Sequence, residues 1–186
     1  MHKFDPEHWE RLVGEERRAR LPVSAILNPI DVREGMVVAD IGAGPGYFTL
    51  PLADWVGPRG RVYALDIEPR MLEALRSRGV PPNVEVLQSG ESTLPLPDQS
   101  VDLAFLAFVY HELGDRPAML AEIRRILRPG GRLVVADWVP REEEIGPPLH
   151  ERIAEGVVTA EMEAAGFEVT TSFAANPSTY CVVGAV

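Results

Sequence analysis

Short apolar runs alternate with amphipathic segments from Met36 to the end of the chain. The runs MVVADI, RVYALD, VEVLQ, VDLAFLAF and GRLVVADW are rich in β-branched and aromatic residues. Such nearly continuous apolar runs are typical of strands that are covered on both faces. The intervening segments PRMLEALRSRG and DRPAMLAEIRRILRPGG carry apolar residues at helical spacing. This alternation predicts an α/β fold with a doubly wound, mostly parallel sheet between two layers of helices.

The ends of the predicted helices carry recognisable signals. In the second helix Asp115 is the expected N-cap, and Pro-Gly-Gly follows the last apolar position. The residues expected to face the sheet are Met71, Leu72 and Leu75 in the first helix and Met119, Leu120, Ile123, Ile126 and Leu127 in the second.

The two ends of the chain depart from this alternation. TAEMEAAGF predicts a helix that stops at Gly166, and two strand-like runs follow with only Asn176-Pro177 between them. Strands joined so closely must be antiparallel, because a parallel return needs a long crossover. The first 35 residues predict two helices outside the sheet. We expect one domain over residues 1–186, with a helical cap at 1–34 and an α/β core at 35–186.

Composition limits the function classes. The chain of 186 residues has a formal net charge of -10, which argues against nucleic acid as a partner. A single cysteine, Cys181, excludes a disulfide framework and a thiolate zinc site. No apolar stretch is long enough to span a membrane, and the first residues do not resemble a signal peptide. We expect a cytoplasmic monomer or homodimer without a metal site.

The stretch VVADIGAGPGYFTL places a glycine-rich turn after the first strand. In open parallel sheets, ligands bind beyond the carboxyl ends of the strands. The spacing G-x-G-x-G differs from the dinucleotide pattern G-x-G-x-x-G, and Asp40 before the turn would repel a diphosphate. A second acid, Asp66, ends the next strand, where a carboxylate can accept both ribose hydroxyls. One acid for an amino group and one for a ribose fit S-adenosylmethionine.

Four blocks of the sequence resemble the class I S-adenosylmethionine-dependent methyltransferases, in the type 11 group that includes quinone-biosynthesis enzymes. These blocks are VVADIGAGPGYFTLPLA, VYALDIEPRMLEALR, STLPLPDQSVDLAFLAFVYHEL and EIRRILRPGGRLVVADW. The resemblance implies a Rossmann-like fold, S-adenosylmethionine as cofactor and a small-molecule methyl acceptor. An arsenite-type reaction is disfavoured, because that chemistry depends on several cysteines.

The resemblance also implies roles for individual residues. The methionine end of the cofactor would lie against Asp40, Gly42, Ala43 and Gly44, and the ribose against Asp66. Ile67 and Met71 would lie beside the adenine, although Met71 fits helix core equally well, and Leu106 would pass along the cofactor. Gly90 stands where the family usually has an acid for the adenine amino group. Either the neighbouring Glu91 replaces that acid, or backbone groups alone contact the base.

Candidate catalytic residues follow the fourth strand and the glycine turn. His111 is placed to act as a general base toward the acceptor, with structural packing as the alternative interpretation. The Tyr47 hydroxyl is a second candidate contact, and Trp138 is expected to line the acceptor pocket or to pack in the core. Phe4, His8 and Trp9 are expected to form a lid or simply to cover the sheet.

Two other function classes stay open at this point. The chain could be an inert S-adenosylmethionine-binding module or partner subunit, for which the glycine at position 90 gives some support. An NAD-dependent oxidoreductase fits less well, because the glycine spacing, Asp40 and the terminal hairpin argue against it.

Overall fold

The computed structural model describes residues 5–186 and contains a sheet of seven strands. The strands are β1 (Val37–Ile41), β2 (Arg61–Asp66), β3 (Val84–Gln88), β4 (Val101–Ala107), β5 (Leu127–Trp138), β6 (Glu168–Asn176) and β7 (Thr179–Ala185). Their order is β3-β2-β1-β4-β5-β7-β6. Strands β1 to β5 are parallel, and β7 runs antiparallel to both β5 and β6. The predicted sheet with its C-terminal hairpin is confirmed.

Helices cover both faces of the sheet. They are α1 (Glu15–Arg20), α2 (Val23–Leu27), α3 (Thr49–Val56), α4 (Pro69–Ser77), α5 (Arg116–Ile126) and α6 (Glu155–Ala164). Apolar side chains of α2 and α3 share one buried cluster with one sheet face, and those of α5 and α6 share another with the opposite face. On α4, Leu75 packs with Ala64 of β2. The result is the expected three-layer α/β/α arrangement.

The signals read from the helix sequences are borne out in detail. The Asp115 carboxylate accepts a hydrogen bond of 3.0 Å from the Ala118 amide at the start of α5. The predicted core residues of α4 and α5 are buried. Helix α5 ends one residue earlier than the apolar pattern suggests, because Leu127 already begins β5.

The N-terminal part differs from the two helices expected there. A 3-10 helix (Pro6–Leu12) precedes α1, and α2 follows α1 directly. Gly14 caps α1 without a side-chain hydrogen bond, and Pro22 separates α1 from α2, so the segment breaks into three short pieces. Within residues 5–186, no helix has the length and apolar character needed to cross a lipid bilayer.

The topology places the carboxyl ends of four strands at one edge of the sheet. Parallel pairing aligns Ile41 of β1 with Leu65 of β2 and with Leu106 of β4, which in turn aligns with Val135 of β5. The carboxyl ends of these strands, and the loops that follow them, therefore meet at the same edge of the sheet.

Candidate active site

The glycine turn after β1 is held to β2 by backbone hydrogen bonds. The amides of Gly42 and Ala43 both donate to the Leu65 carbonyl, at 2.7 and 2.9 Å. At Gly42, a Cβ atom would lie 2.3 Å from Cγ2 of Val109, so no side chain fits there. At Gly44 the backbone has a φ of +54°, and a Cβ atom would meet nothing within 4 Å. The turn thus leaves open space beside Gly44, where a ligand can approach the backbone.

The Asp66 carboxylate lies at the tip of β2 against this turn. Its two oxygens accept hydrogen bonds from the amides of Gly44 (2.7 Å) and Glu68 (2.9 Å). Burial raises the pKa of Asp66, and the backbone donors partly offset that shift. An ionised carboxylate accepts about four hydrogen bonds, so this oriented group keeps acceptor capacity for two hydroxyls.

The Asp40 carboxylate is more deeply enclosed. It is 2% exposed and accepts a hydrogen bond of 2.6 Å from the Thr49 hydroxyl, the first residue of α3. Burial raises its pKa to about 7, the Thr49 hydrogen bond opposes the shift, and the charge of Asp66 adds to it. An enclosed acid whose pKa is raised by burial and by a neighbouring acid favours a cation beside it.

The residues predicted to lie beside the adenine differ in exposure, and their contacts with the base stay predictions. Ile67 is 40% exposed at the tip of β2, which suits an apolar contact to a base, whereas Met71 is 6% exposed and packs as helix core. At position 90 a Cβ atom would lie 2.2 Å from the Thr93 hydroxyl oxygen. A side chain at position 90 would therefore require the Thr93 hydroxyl to move. Glu91 is exposed, with a carboxylate oxygen 2.9 Å from where a Cβ atom of Gly114 would be.

Leu106 is fully buried inside β4. The side chain of Leu106 is therefore enclosed, so a contact with the cofactor here would involve the backbone of Leu106. The role assigned to Leu106 stays a prediction.

His111 forms a buried pair with Asp137 from the end of β5. The imidazole Nδ1 lies 2.8 Å from Oδ1 of Asp137, whose other oxygen accepts from the His111 amide at 3.0 Å. The imidazole Nε2 lies 3.8 Å from a carboxylate oxygen of Glu112. Burial lowers the pKa of His111, but the Asp137 hydrogen bond and the charges of Asp137, Glu112 and Glu151 together raise it above 6.5. The sequence reasoning missed Asp137, although the rule that identified Asp40 and Asp66 at strand ends also covers it.

Tyr47 is used differently from the prediction. Its hydroxyl donates a hydrogen bond of 2.5 Å to the Leu21 carbonyl and so joins the N-terminal segment to the glycine turn. Arg17 of α1 lies over the Tyr47 ring, with its Cζ atom 4.9 Å from the ring centroid. The catalytic role of Tyr47 stays a prediction, but its hydroxyl is engaged in this structure.

Aromatic rings line the part of the site where the methyl acceptor is expected. The ring centroids of Trp138 and Phe108 are 4.9 Å apart, and neither side chain is fully buried. On its other side Trp138 contacts Arg152, whose guanidinium also donates to carbonyls of the loop at 139–152. His8 and Trp9 belong to the 3-10 helix that packs on α4, and their role as a lid or as a cover of the sheet stays a prediction; Phe4 lies outside the described residues. His150 is exposed.

The geometry fits the implied cofactor. The open turn at Gly44, the oriented carboxylate of Asp66 and the enclosed carboxylate of Asp40 offer a side-chain-free approach and two anionic groups within one edge. A ligand with a cationic amino-acid end and a ribose matches that donor and acceptor set. In the described part of the chain, no three His, Cys, Asp or Glu side chains are grouped to hold a metal ion.

Comparison with known proteins decides the family. The model of the type 11 methyltransferase domain matches residues 39–135, just over half of the chain. A crystal structure of a SAM-dependent methyltransferase from Aquifex aeolicus superimposes with a TM-score of 0.94 at 34% identity, covering 99% of this chain and 100% of that one. The chain belongs to this methyltransferase family. Family and structural relative together identify S-adenosylmethionine as the cofactor.

Curated relatives agree over the core of the chain. The ubiquinone/menaquinone biosynthesis C-methyltransferase UbiE of Hahella chejuensis is 39% identical over 111 residues, or 58% of this chain and 45% of that protein. A 37.1 kDa protein in transposon TN4556 of Streptomyces fradiae is 43% identical over 123 residues, or 64% of this chain and 36% of that protein. The chain thus spans less than half the length of these two relatives.

Proposed function

We propose that this methyltransferase-family chain transfers a methyl group from S-adenosylmethionine to a small-molecule acceptor. The observation that carries the proposal is the pair of buried carboxylates, Asp40 and Asp66, at the tips of neighbouring strands on either side of an open glycine turn. When bound there, S-adenosylmethionine supplies a methyl group already activated by a sulfonium. The protein then contributes binding, orientation, exclusion of water and proton transfer.

Cofactor contacts are assigned within this proposal. Asp66 accepts hydrogen bonds from the ribose hydroxyls, Asp40 faces the amino group, and Ile67 covers one face of the adenine. The open space at Gly44 lets the backbone approach the ligand. Gly42 and Ala43 shape the turn rather than donate to the ligand, since their amides already bond to Leu65.

His111 is assigned as the general base, and Asp137 as its positioning residue. A proton on Nδ1 is bonded to Asp137, which leaves Nε2 as the acceptor in the neutral imidazole. The neighbouring negative charge stabilises the imidazolium that forms when the acceptor loses a proton. The same hydrogen bond fixes the ring, so proton removal needs no reorientation.

The acceptor is proposed to be small. Two segments cover the carboxyl edge of the sheet, the N-terminal part tied down by Tyr47 and the loop tied down by Arg152. We assign residues 1–34 as a cap and 35–186 as the cofactor-binding core of one domain. The formal charge of -10 supports a partner other than nucleic acid, and a monomer or homodimer is sufficient for a site built from one chain.

Two measurements test the proposal in sequence. Calorimetric titration with S-adenosylhomocysteine and with NAD distinguishes the cofactor classes, and we expect binding of S-adenosylhomocysteine only. Incubation with labelled S-adenosylmethionine and a panel of phenols, carbon acids, amines and thiols then scores methylated product. Binding without turnover across a broad panel would favour the inert binding module or partner subunit, and binding of NAD alone would refute the methyltransferase assignment.

A further inference from the structure

Arg17 is a largely enclosed cation that has no anionic partner among residues 5–186. Its Nε is sealed from solvent and meets no hydrogen-bond acceptor among residues 5–186. In that range, no salt bridge or hydrogen bond joins Arg17 to another side chain, unlike Arg116, Arg125 and Arg152. Burial lowers the pKa of Arg17 to about 10, with a small opposing effect from Tyr47. An enclosed charge that lacks a counterion is costly, and an anionic ligand would remove that cost.

The surroundings of Arg17 are aromatic rather than polar. Its Cζ atom lies 4.9 Å from the Tyr47 ring centroid and 5.0 Å from that of Phe108. Ring faces attract the cation but do not accept its N–H hydrogens as a carboxylate does. The guanidinium carries five donors in one plane, and that plane matches the two oxygens of a carboxylate. Arg17 also keeps part of its surface exposed, so a ligand can reach it.

Phe108 connects Arg17 with the acceptor side of the site. It follows β4 with a φ of +62°, a left-handed backbone that is rare for a residue with a side chain. Its amide donates to the Ala136 carbonyl at 2.8 Å, which holds this conformation. The Phe108 ring contacts Trp138, so an aromatic wall runs from Arg17 to the end of β5. Strained backbone of this kind is concentrated at ligand sites.

Charge separates the two ends of the site. Asp40 and Asp66 make the glycine-turn end anionic, and His111 is surrounded by Asp137, Glu112 and Glu151. An anionic group of an acceptor is repelled by both regions and attracted by Arg17. Arg152 at the other end of the wall is already paired with Glu143, so the charge of Arg17 suits one anionic group, and the aromatic wall suits a flat apolar body.

We infer that Arg17 binds the carboxylate of the methyl acceptor, and that this acceptor is a small aromatic acid. The inference rests on the proposed function, because it names the acceptor class of that same site. Arg17 would then act in specificity, holding the acid group while the reacting atom points away from Arg17 and toward His111.

The test compares acids with their amides. Benzoate, phenylacetate and 4-hydroxybenzoate, each beside its carboxamide, are titrated into the protein saturated with S-adenosylhomocysteine, with calorimetry as the readout. We expect at least one acid to bind, its amide to bind about tenfold more weakly, and Arg17→Met to remove this difference. Arg20→Met is the matched control, because it changes the same charge on an exposed side chain of α1 and should keep the preference.

A conservative variant protects the test against misfolding. Arg17→Lys keeps the positive charge but lacks the planar pair of donors, and we expect an intermediate loss of acid affinity in a protein with an unchanged thermal melt. Equal binding of acids and amides by the wild type, or no binding of any acid, would overturn the inference.

The cofactor gives a separate readout. We expect Arg17→Met to leave the Kd for S-adenosylhomocysteine unchanged. A large rise in that Kd would overturn the inference by assigning Arg17 to the carboxylate of the cofactor. Failure of the wild type to bind S-adenosylhomocysteine at all would instead contradict the proposed function, so the two failures are distinguishable.

Discussion

The Thr49 hydroxyl lies 2.6 Å from Oδ2 of Asp40 and is the one hydrogen-bond partner of that carboxylate among residues 5–186. A single neutral donor does little to offset the burial of a charge. Asp40 therefore keeps a pKa of about 7, and its ionised form is available at a cost that a cationic ligand relieves. This pair links the stability of the protein to the binding of its cofactor.

Asp40→Asn should change stability and affinity in opposite directions. The pKa of Asp40 rises from 3.8 to about 7 on folding, so the folded protein binds the proton more tightly between those pH values and loses stability as the pH rises through them. Asparagine cannot ionise, so at pH 8 we expect a gain of about 2 kcal/mol, or roughly 4–8 °C in Tm. Cofactor affinity should fall about tenfold, because the charge facing the amino group is lost. Differential scanning calorimetry and titration calorimetry measure the two effects.

The pH dependence supplies the control for Asp40. In the wild type, the Kd for S-adenosylmethionine should rise as the pH falls below about 7, because Asp40 becomes neutral. The Asp40→Asn variant should show a flatter profile. Equal slopes in the two proteins would mean that another group carries the pH dependence.

Asp66→Ala should weaken cofactor binding by about 1–3 kcal/mol, the range for a lost hydrogen bond to a charged group. The variant also loses the acceptor that holds the Gly44 amide, at 2.7 Å, so part of the effect comes from the turn. Titration with S-adenosylhomocysteine checks the change. Asp54→Ala, on the exposed side of α3, is the matched control, and unchanged affinity in Asp66→Ala would contradict the ribose assignment.

The His111–Asp137 pair predicts a shifted histidine titration. With the pKa of His111 above 6.5 in the wild type, Asp137→Asn should lower it, because the stabilising charge is removed while burial remains. Proton NMR of the imidazole signals measures this directly, since the chain has four histidines. The signals of the exposed His150 serve as the internal reference for the two spectra.

The same pair predicts the kinetics once an acceptor is known. His111→Gln should reduce kcat by about 100-fold, the usual contribution of a general base, with little change in cofactor Kd. His150→Gln should leave kcat unchanged. Asp137→Asn should move the acidic limb of the pH–rate profile to lower pH, whereas a purely structural role would lower the rate without moving that limb.

The turn at Gly90 predicts a compensating pair of substitutions. Gly90→Asp alone should cost about 1–3 kcal/mol of stability, because its Cβ atom would lie 2.2 Å from the Thr93 hydroxyl oxygen. The double variant Gly90→Asp/Thr93→Ala removes that atom and should recover most of the stability. With the acid in the family's usual position, its affinity for S-adenosylhomocysteine should exceed that of the wild type. Thermal melts and titration calorimetry on the single and double variants check both expectations.

The fold was predictable because it depends on local patterns. Apolar runs gave the strands, Asp115 gave the start of α5, and the short Asn176-Pro177 link required antiparallel strands. The N-terminal segment was harder, because its helices bury few residues and break at Gly14 and Pro22 rather than following one long period.

Candidate site residues could be predicted only where an acidic residue stands at the end of a predicted strand. Asp40 and Asp66 could be read from their positions, whereas Thr49, Asp137 and Arg17 act through side-chain contacts across distant elements. The glycine at position 90 is visible in the sequence, but the close approach of the Thr93 hydroxyl to that position depends on the fold of the loop, which no periodicity encodes. The functions of these residues, and the cytoplasmic location, stay predictions.

The hydrogen bond from Tyr47 to the Leu21 carbonyl joins the glycine turn to the N-terminal segment, and different roles are proposed for these two parts. The strand tips proposed to bind the cofactor belong to the sheet, whereas the guanidinium of Arg17 belongs to a short helix beyond it. Under these assignments, changes in residues 5–34 would alter acceptor choice and leave the methyl donor site intact. The N-terminal segment and the sheet would then vary independently, the first selecting the acceptor and the second holding the methyl donor.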